Sequence, residues 1–168
     1  MPSIRRLFES DAEAFRAIRL AALACAPEAF AAPAEFEAKL PHAHFVAMLR
    51  DALVLGADHE GALVAVARLT PGRPPKEAHR ATINGFFVRK EHRGSGLARA
   101  LMAALIAAAR NEYEQLTLAV VADNAAAIRL YRGFGFVEFG REPRARKSGG
   151  AYQDLVTMWL PLEPQRNF

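Results

Sequence analysis

At 168 residues the chain is long enough to bury a core of its own, and residues 1–168 read as one domain. With 52% hydrophobic and 24% charged residues it reads as globular, and no apolar run reaches the length of a membrane span. The net charge of +4 is a mild basic excess. The single cysteine, Cys25, leaves no internal disulfide and points to the cytoplasm.

In chain order, a weak strand is expected first, and Glu9, Asp11 and Glu13 interrupt any signal-peptide pattern. Ser10-x-x-Glu13 reads as a capping box, after which Phe15, Ile18 and Ala22 fall on one helical face. Cys25, in the same alanine-rich setting, reads as a small buried apolar residue. A second helical stretch spans residues 34–50 and is interrupted near Pro41. Residues 52–56 and 62–69 read as strands joined by the hairpin signal Asp58-His59-Glu60-Gly61. The run Pro71-Gly72-Arg73-Pro74-Pro75 is a loop, and residues 81–88 form the next strand. An alanine- and leucine-rich helix covers residues 97–110, and residues 116–122 read as a short buried strand. A short helix follows, with Asp123 or Asn124 as its N-cap and a glycine at its end. Residues 140–150, which include Arg141, Arg144, Arg146 and Lys147, read as a polar loop, and residues 152–160 as a final strand. The basic cluster reads as solvated or as a contact for an anion. No aromatic residues interleave with it, so a nucleic-acid partner is not expected.

Two stretches carry chemistry. In the first, Val88-Arg89-Lys90-Glu91-His92-Arg93-Gly94-Ser95-Gly96-Leu97-Ala98, a strand runs through a glycine-bearing turn into a helix. The first N–H groups of a helix have no internal partners and its macrodipole is positive there, so this junction suits a phosphate. Gly94 and Gly96 let the backbone approach closely, and Arg93 can supply a forked cation. A dinucleotide fingerprint would need a third glycine where Arg99 stands, and a Walker loop would need Gly-Lys before Ser or Thr. What fits is Arg-x-x-Gly-x-Ala, filled by Arg93, Gly96 and Ala98. The second stretch is Asn-x-x-Ala-x-x-Leu-Tyr-x-x-x-Gly-Phe, filled by Asn124, Ala127, Leu130, Tyr131, Gly135 and Phe136.

These two motifs, in this order, closely resemble the pyrophosphate loop and the second hallmark of the GNAT superfamily of N-acetyltransferases. The resemblance covers residues 81–137. It implies an α/β GNAT fold with a mixed, mostly antiparallel central sheet, splayed between the fourth and fifth strands and flanked by helices. It also implies transfer of an acetyl group from acetyl-CoA to a primary amine, by direct attack on the thioester. A non-catalytic acyl-CoA-binding sensor or interaction module is the alternative.

The resemblance assigns roles residue by residue. Phe86, Phe87 and Val88 would offer a strand edge to the pantetheine arm, with Gly85 as a bulge that opens it. Arg93, Gly94, Ser95, Gly96, Leu97 and Ala98 would hold the pyrophosphate. A backbone N–H near Val88 would meet the thioester oxygen, an effect of roughly 3 kcal/mol. Asn124 would cap its helix or hydrogen-bond the pantetheine arm. Tyr131 stands where the family's general acid stands. A phenol near pKa 10 protonates a thiolate near 8.5 only if its own pKa falls or the transfer is concerted.

Many relatives carry a glutamate on the strand before the phosphate loop, but residues 81–88 contain no acidic residue or histidine. Glu35, Glu37, His79, Glu138, Asp154 and a water relay all stay open as the base. His42-x-His44 lacks the companions of a metal site, so no metal is expected. The acceptor is a small-molecule or peptide amine, no membrane partner is expected, and a homodimer through the final strand stays open.

Overall fold

The structure, a computed structural model, describes residues 1–162. It forms two compact units, Met1–Thr70 with Ile83–Ala108, and Pro71–Thr82 with the described residues from Ala109 on.

In the first unit, strand β1 (Ser3–Leu7) pairs antiparallel with β2 (Leu53–His59), and β2 with β3 (Ala62–Pro71). The β2–β3 turn places Glu60 and Gly61 at φ 51° and 82°, the left-handed pair that suits a two-residue hairpin. Helix α1 (Ala12–Cys25) turns Phe15, Ile18 and Ala22 inward, each at most 2% exposed. Pro41 divides the next helical stretch into α2 (Ala34–Glu37) and α3 (His42–Arg50), as its spacing predicts. Phe45 and Leu49 of α3 join Phe15, Ile18, Val66 and Phe87 in one core cluster. Helix α4 (Leu97–Ala109) adds Leu97, Leu101, Met102 and Leu105, all at most 3% exposed and spaced along one face.

In the second unit, the start of β4 (Arg80–Val88) runs parallel to β5 (Gln115–Val121) through three pairs, Arg80 with Gln115, Ala81 with Leu116 and Thr82 with Thr117. Strand β7 (Ala151–Pro161) lies antiparallel between β5 and β6 (Val137–Ser148). Helix α5 (Ala125–Arg132) connects β5 to β6. The strand order is β1-β2-β3-β4-β5-β7-β6. The fold is therefore α/β with a mixed, mostly antiparallel sheet, and it is splayed between the fourth and fifth strands.

Three expectations need correction. The carboxylate that turns back at the start of α1 belongs to Asp11, which accepts from the Phe8 N–H at 2.8 Å and from Arg5 at 2.9 Å. Ser10 lies in a 3-10 turn ahead of the helix and makes no cap. Cys25 is exposed at the end of α1. Residues 140–150 are mostly strand, ending at the Gly149-Gly150 turn. Their register shifts between Glu142 and Arg146, and Arg144 takes φ 54°. Asp154 of β7 holds this bulge, accepting from Arg144 N–H at 2.9 Å and Arg141 Nε at 3.0 Å. The Tyr152 ring lies 5.0 Å from the Arg144 guanidinium and 5.2 Å from the Lys147 ammonium. Strand β7 has a partner on each side, and β6 ends the strand order.

Phe45 is fully buried in the first unit's core. Phe45→Ala is expected to lower unfolding free energy by about 3–5 kcal/mol, read from denaturant titration.

Candidate functional site

The first unit carries the glycine-bearing turn. Arg89 ties the end of β4 to β3, donating N–H to Val64 O at 2.9 Å and Nε to Leu63 O at 3.0 Å. A 3-10 turn, Lys90–His92, then leads into the exposed residues 93–96. Arg93 is steadied by Nε donating to Val88 O at 3.0 Å, with its guanidinium 6.0 Å from the Phe87 ring. Gly94 and Gly96 have φ 74° and 87°, and a Cβ on either would meet nothing within 4 Å. Glycine is needed here for the left-handed turn, and the outer side of the backbone stays open.

Ser95 Oγ donates to His92 O at 2.7 Å and lies 3.4 Å from Leu97 N, bracing the start of α4. The bond that joins the turn to that helix is Ala100 N–H to Gly96 O at 3.0 Å, so the Ala98 amide precedes it. Successive amides around left-handed residues, the positive end of a helix and one arginine together suit a pyrophosphate. The side chains of Phe87, Val88 and Leu97 are buried, so these three residues can meet a ligand only through their backbone. Phe86 is half-buried.

A pocket opens on the same unit beside Gly85, lined by Phe15, Arg19, Ala22, Met48, Val66, Arg68 and Gly85. Arg19 forms a two-pronged ion pair with Glu37, at 2.9 and 2.6 Å, and Glu37 is 5% exposed. Arg68 donates Nε to Asn84 Oδ1 at 2.7 Å, and Asn84 Nδ2 donates to Thr70 Oγ1 at 3.1 Å. The motifs miss this cluster. Its one sequence signal is Arg68 itself, a cation breaking the buried run of β3.

The second unit carries the other motif. Asn124 Oδ1 accepts the Ala127 N–H at 3.1 Å, so Asn124 is the N-cap of α5. Tyr131 lies in the last turn of α5, 8% exposed, its ring 6.0 Å from that of Phe136. Burial pushes its phenol up to about 12. The lowered pKa that stepwise protonation of a thiolate requires is therefore absent, and the concerted route remains.

Among the candidate bases, Asp154 is held below the usual carboxylate range by the Arg144 N–H and then by Arg141, which makes it a poor proton acceptor. Glu138 stands 3.7 Å from Arg132. Glu37 is committed to Arg19. Among the described residues no group of His, Cys, Asp and Glu is arranged to hold a metal ion, and no helix is long and apolar enough to cross a membrane.

Two outcomes follow from the α5 geometry. Asn124→Ala is expected to cost about 1 kcal/mol of stability through the lost cap. The raised Tyr131 pKa means that below pH 10 the phenol is neutral folded or unfolded, and the full benefit of burying it is kept. Between pH 10 and 12 the unfolded chain loses this proton first, so stability falls as pH rises, by on the order of 2–3 kcal/mol. Thermal melts at pH 9–11 check this: Tyr131→Phe should flatten that part of the alkaline decline.

The chain matches the Acetyltransferase (GNAT) family over residues 7–136. It is 33% identical over 117 residues to an L-methionine sulfoximine/L-methionine sulfone acetyltransferase of Pseudomonas aeruginosa, covering 68% of this chain and 67% of that protein. It is 27% identical over 111 residues to the L-amino acid N-acyltransferase MnaT of Escherichia coli, covering 66% of this chain and 64% of that one. A ribosomal-protein-alanine N-acetyltransferase of Brucella melitensis superposes with a TM-score of 0.77 at 31% identity, over 95% of this chain and 99% of the other. The fold is shared with yncA of Salmonella typhimurium, solved with acetyl-CoA, at a TM-score of 0.84 and 23% identity over 99% of this chain and 97% of the other. The family match takes in both the glycine-bearing turn and the helix that Asn124 caps, and the chain belongs to the acetyltransferase (GNAT) family as an acetyl-CoA-dependent N-acetyltransferase.

Proposed function

We propose that the acetyl acceptor is the α-amino group of a small L-amino acid, and that residues 1–168 act as one catalytic domain. The similar proteins of Pseudomonas and Escherichia coli are named for amino-acid acceptors, and the family match runs through residues of both units. The observation that carries the cofactor side of this reading is the turn at residues 93–98, with its two left-handed glycines and open amides at the start of α4.

In this reading Arg93 and the amides of Gly94, Ser95, Gly96, Leu97 and Ala98 bind the pyrophosphate of acetyl-CoA. The backbone of Phe86, Phe87 and Val88 receives the pantetheine arm, and the Val88 N–H faces the thioester oxygen. Asn124 keeps α5 in place by its cap. The acceptor nitrogen bonds to the acetyl carbon as the carbon–sulfur bond breaks, with no enzyme-bound acyl group. Tyr131 gives its proton to the departing sulfur as that bond lengthens, and the second proton that the acceptor nitrogen sheds as the amide forms restores the phenol. Because its phenol stays neutral throughout the physiological range, the donor is always loaded. In this reading the proton released by the ammonium passes to water; β4 itself carries no acidic residue.

Acetyl-CoA at about 100 times its Kd should add roughly 2.7 kcal/mol and raise the unfolding midpoint by about 5–10 °C, with smaller shifts from NAD or ATP. A larger rise with NAD or ATP would overturn the assignment of the turn. Tyr131→Phe should lower kcat by about 100-fold or more while the Kd for acetyl-CoA stays within about twofold. An unchanged kcat would remove Tyr131 from the reaction.

A further inference from the structure

We propose that the pocket beside Gly85 binds the carboxylate of the acceptor on Arg68; this rests on the amino-acid reading above. The pocket brings two guanidinium groups and one carboxylate into a setting that is otherwise apolar. Glu37 is taken up by Arg19 in a two-pronged pair, and Arg19 is further fixed 5.6 Å from the Phe30 ring. Arg68 forms no ion pair among the described residues. One positive charge is left over.

That charge is costly where it stands. Burial, and then the neighbouring Arg19 cation, lower the pKa of Arg68, and the Glu37 charge offsets them in part. An incoming carboxylate relieves both effects at once. The orientation suits it as well. Asn84 engages Nε and is itself held by Thr70, which leaves the two Nη groups as a fork of the right width for two carboxylate oxygens.

Gly85 keeps the mouth clear: it takes φ 62°, and a Cβ there would come within 3.4 Å of Arg19 Nη1. It also immediately precedes Phe86, Phe87 and Val88. In an α-amino acid the amine and the carboxylate share one carbon, so a carboxylate held beside Gly85 brings the amine to the strand assigned to the thioester. A phosphate monoester would bring about two negative charges to a pocket with one to neutralise.

The test compares kcat/KM for L-methionine sulfone and for its carboxamide, using the wild-type chain, Arg68→Gln and Arg68→Lys, with thermal melts to confirm folding. The wild type should prefer the free acid by at least about tenfold. Arg68→Gln should lower kcat/KM for the acid by about 10- to 100-fold, mainly through KM, and for the carboxamide by less than about threefold. Arg68→Lys, which keeps the charge but not the fork, should fall between. Equal losses on both substrates, or no wild-type preference for the acid, would overturn the carboxylate assignment and leave the amino-acid reading standing. If the wild type acetylates amines without a carboxylate but neither of these, the amino-acid reading itself fails.

Discussion

The burial of one face of helix α4 is the constraint on which the cofactor site depends. Leu97, Leu101, Met102 and Leu105 are at most 3% exposed, and a fully buried side chain of this kind contributes about 1.5–3 kcal/mol. The helix cannot rotate or slide without exposing them. Its first amides are therefore fixed in direction, and the turn that leads into it must bridge β4 to a helix already in place. Gly94 and Gly96 supply the left-handed backbone for that bridge, Ser95 braces it and Arg93 is tied back to Val88. A site whose donors are aimed before the ligand arrives spends little of its binding energy on ordering them.

Around this rigid centre the first unit distributes its charges sparingly. Arg19 is neutralised by Glu37, while Arg68 is held by a neutral amide and keeps its charge. In the second unit burial works in the other direction, keeping the phenol of Tyr131 neutral rather than favouring a charge. The same effect, desolvation, thus disfavours the charge on Arg68 and keeps the Tyr131 phenol protonated.

Much of this was legible in the residues. Arg93, Gly96 and Ala98 follow a strand whose period is plain, and Asn124 announces the start of α5 by the chemistry of a cap. Pro41 marks the break between α2 and α3 because its ring cannot continue a helix. What stayed hidden depends on partners distant in sequence. Arg141 to Ser148 lack the apolar alternation of a strand, and they form one because β7 supplies their hydrogen bonds and Asp154 holds the bulge at Arg144. The pairing of Arg19 with Glu37 and the support of Arg68 by Asn84 join α1 to α2 and β3 to β4 through contacts that no local pattern encodes. Ser10 misled because Asp11, one residue on, could reach the Phe8 N–H while also meeting Arg5.

The central claim is that the turn before α4 receives the pyrophosphate of acetyl-CoA on its backbone amides. Amide hydrogen exchange measured by NMR, with and without acetyl-CoA, addresses it residue by residue. The account predicts that the amides of Gly94 to Ala98, and those of Phe86 to Val88, gain protection on binding. Binding that leaves these amides unchanged and protects another region would contradict it.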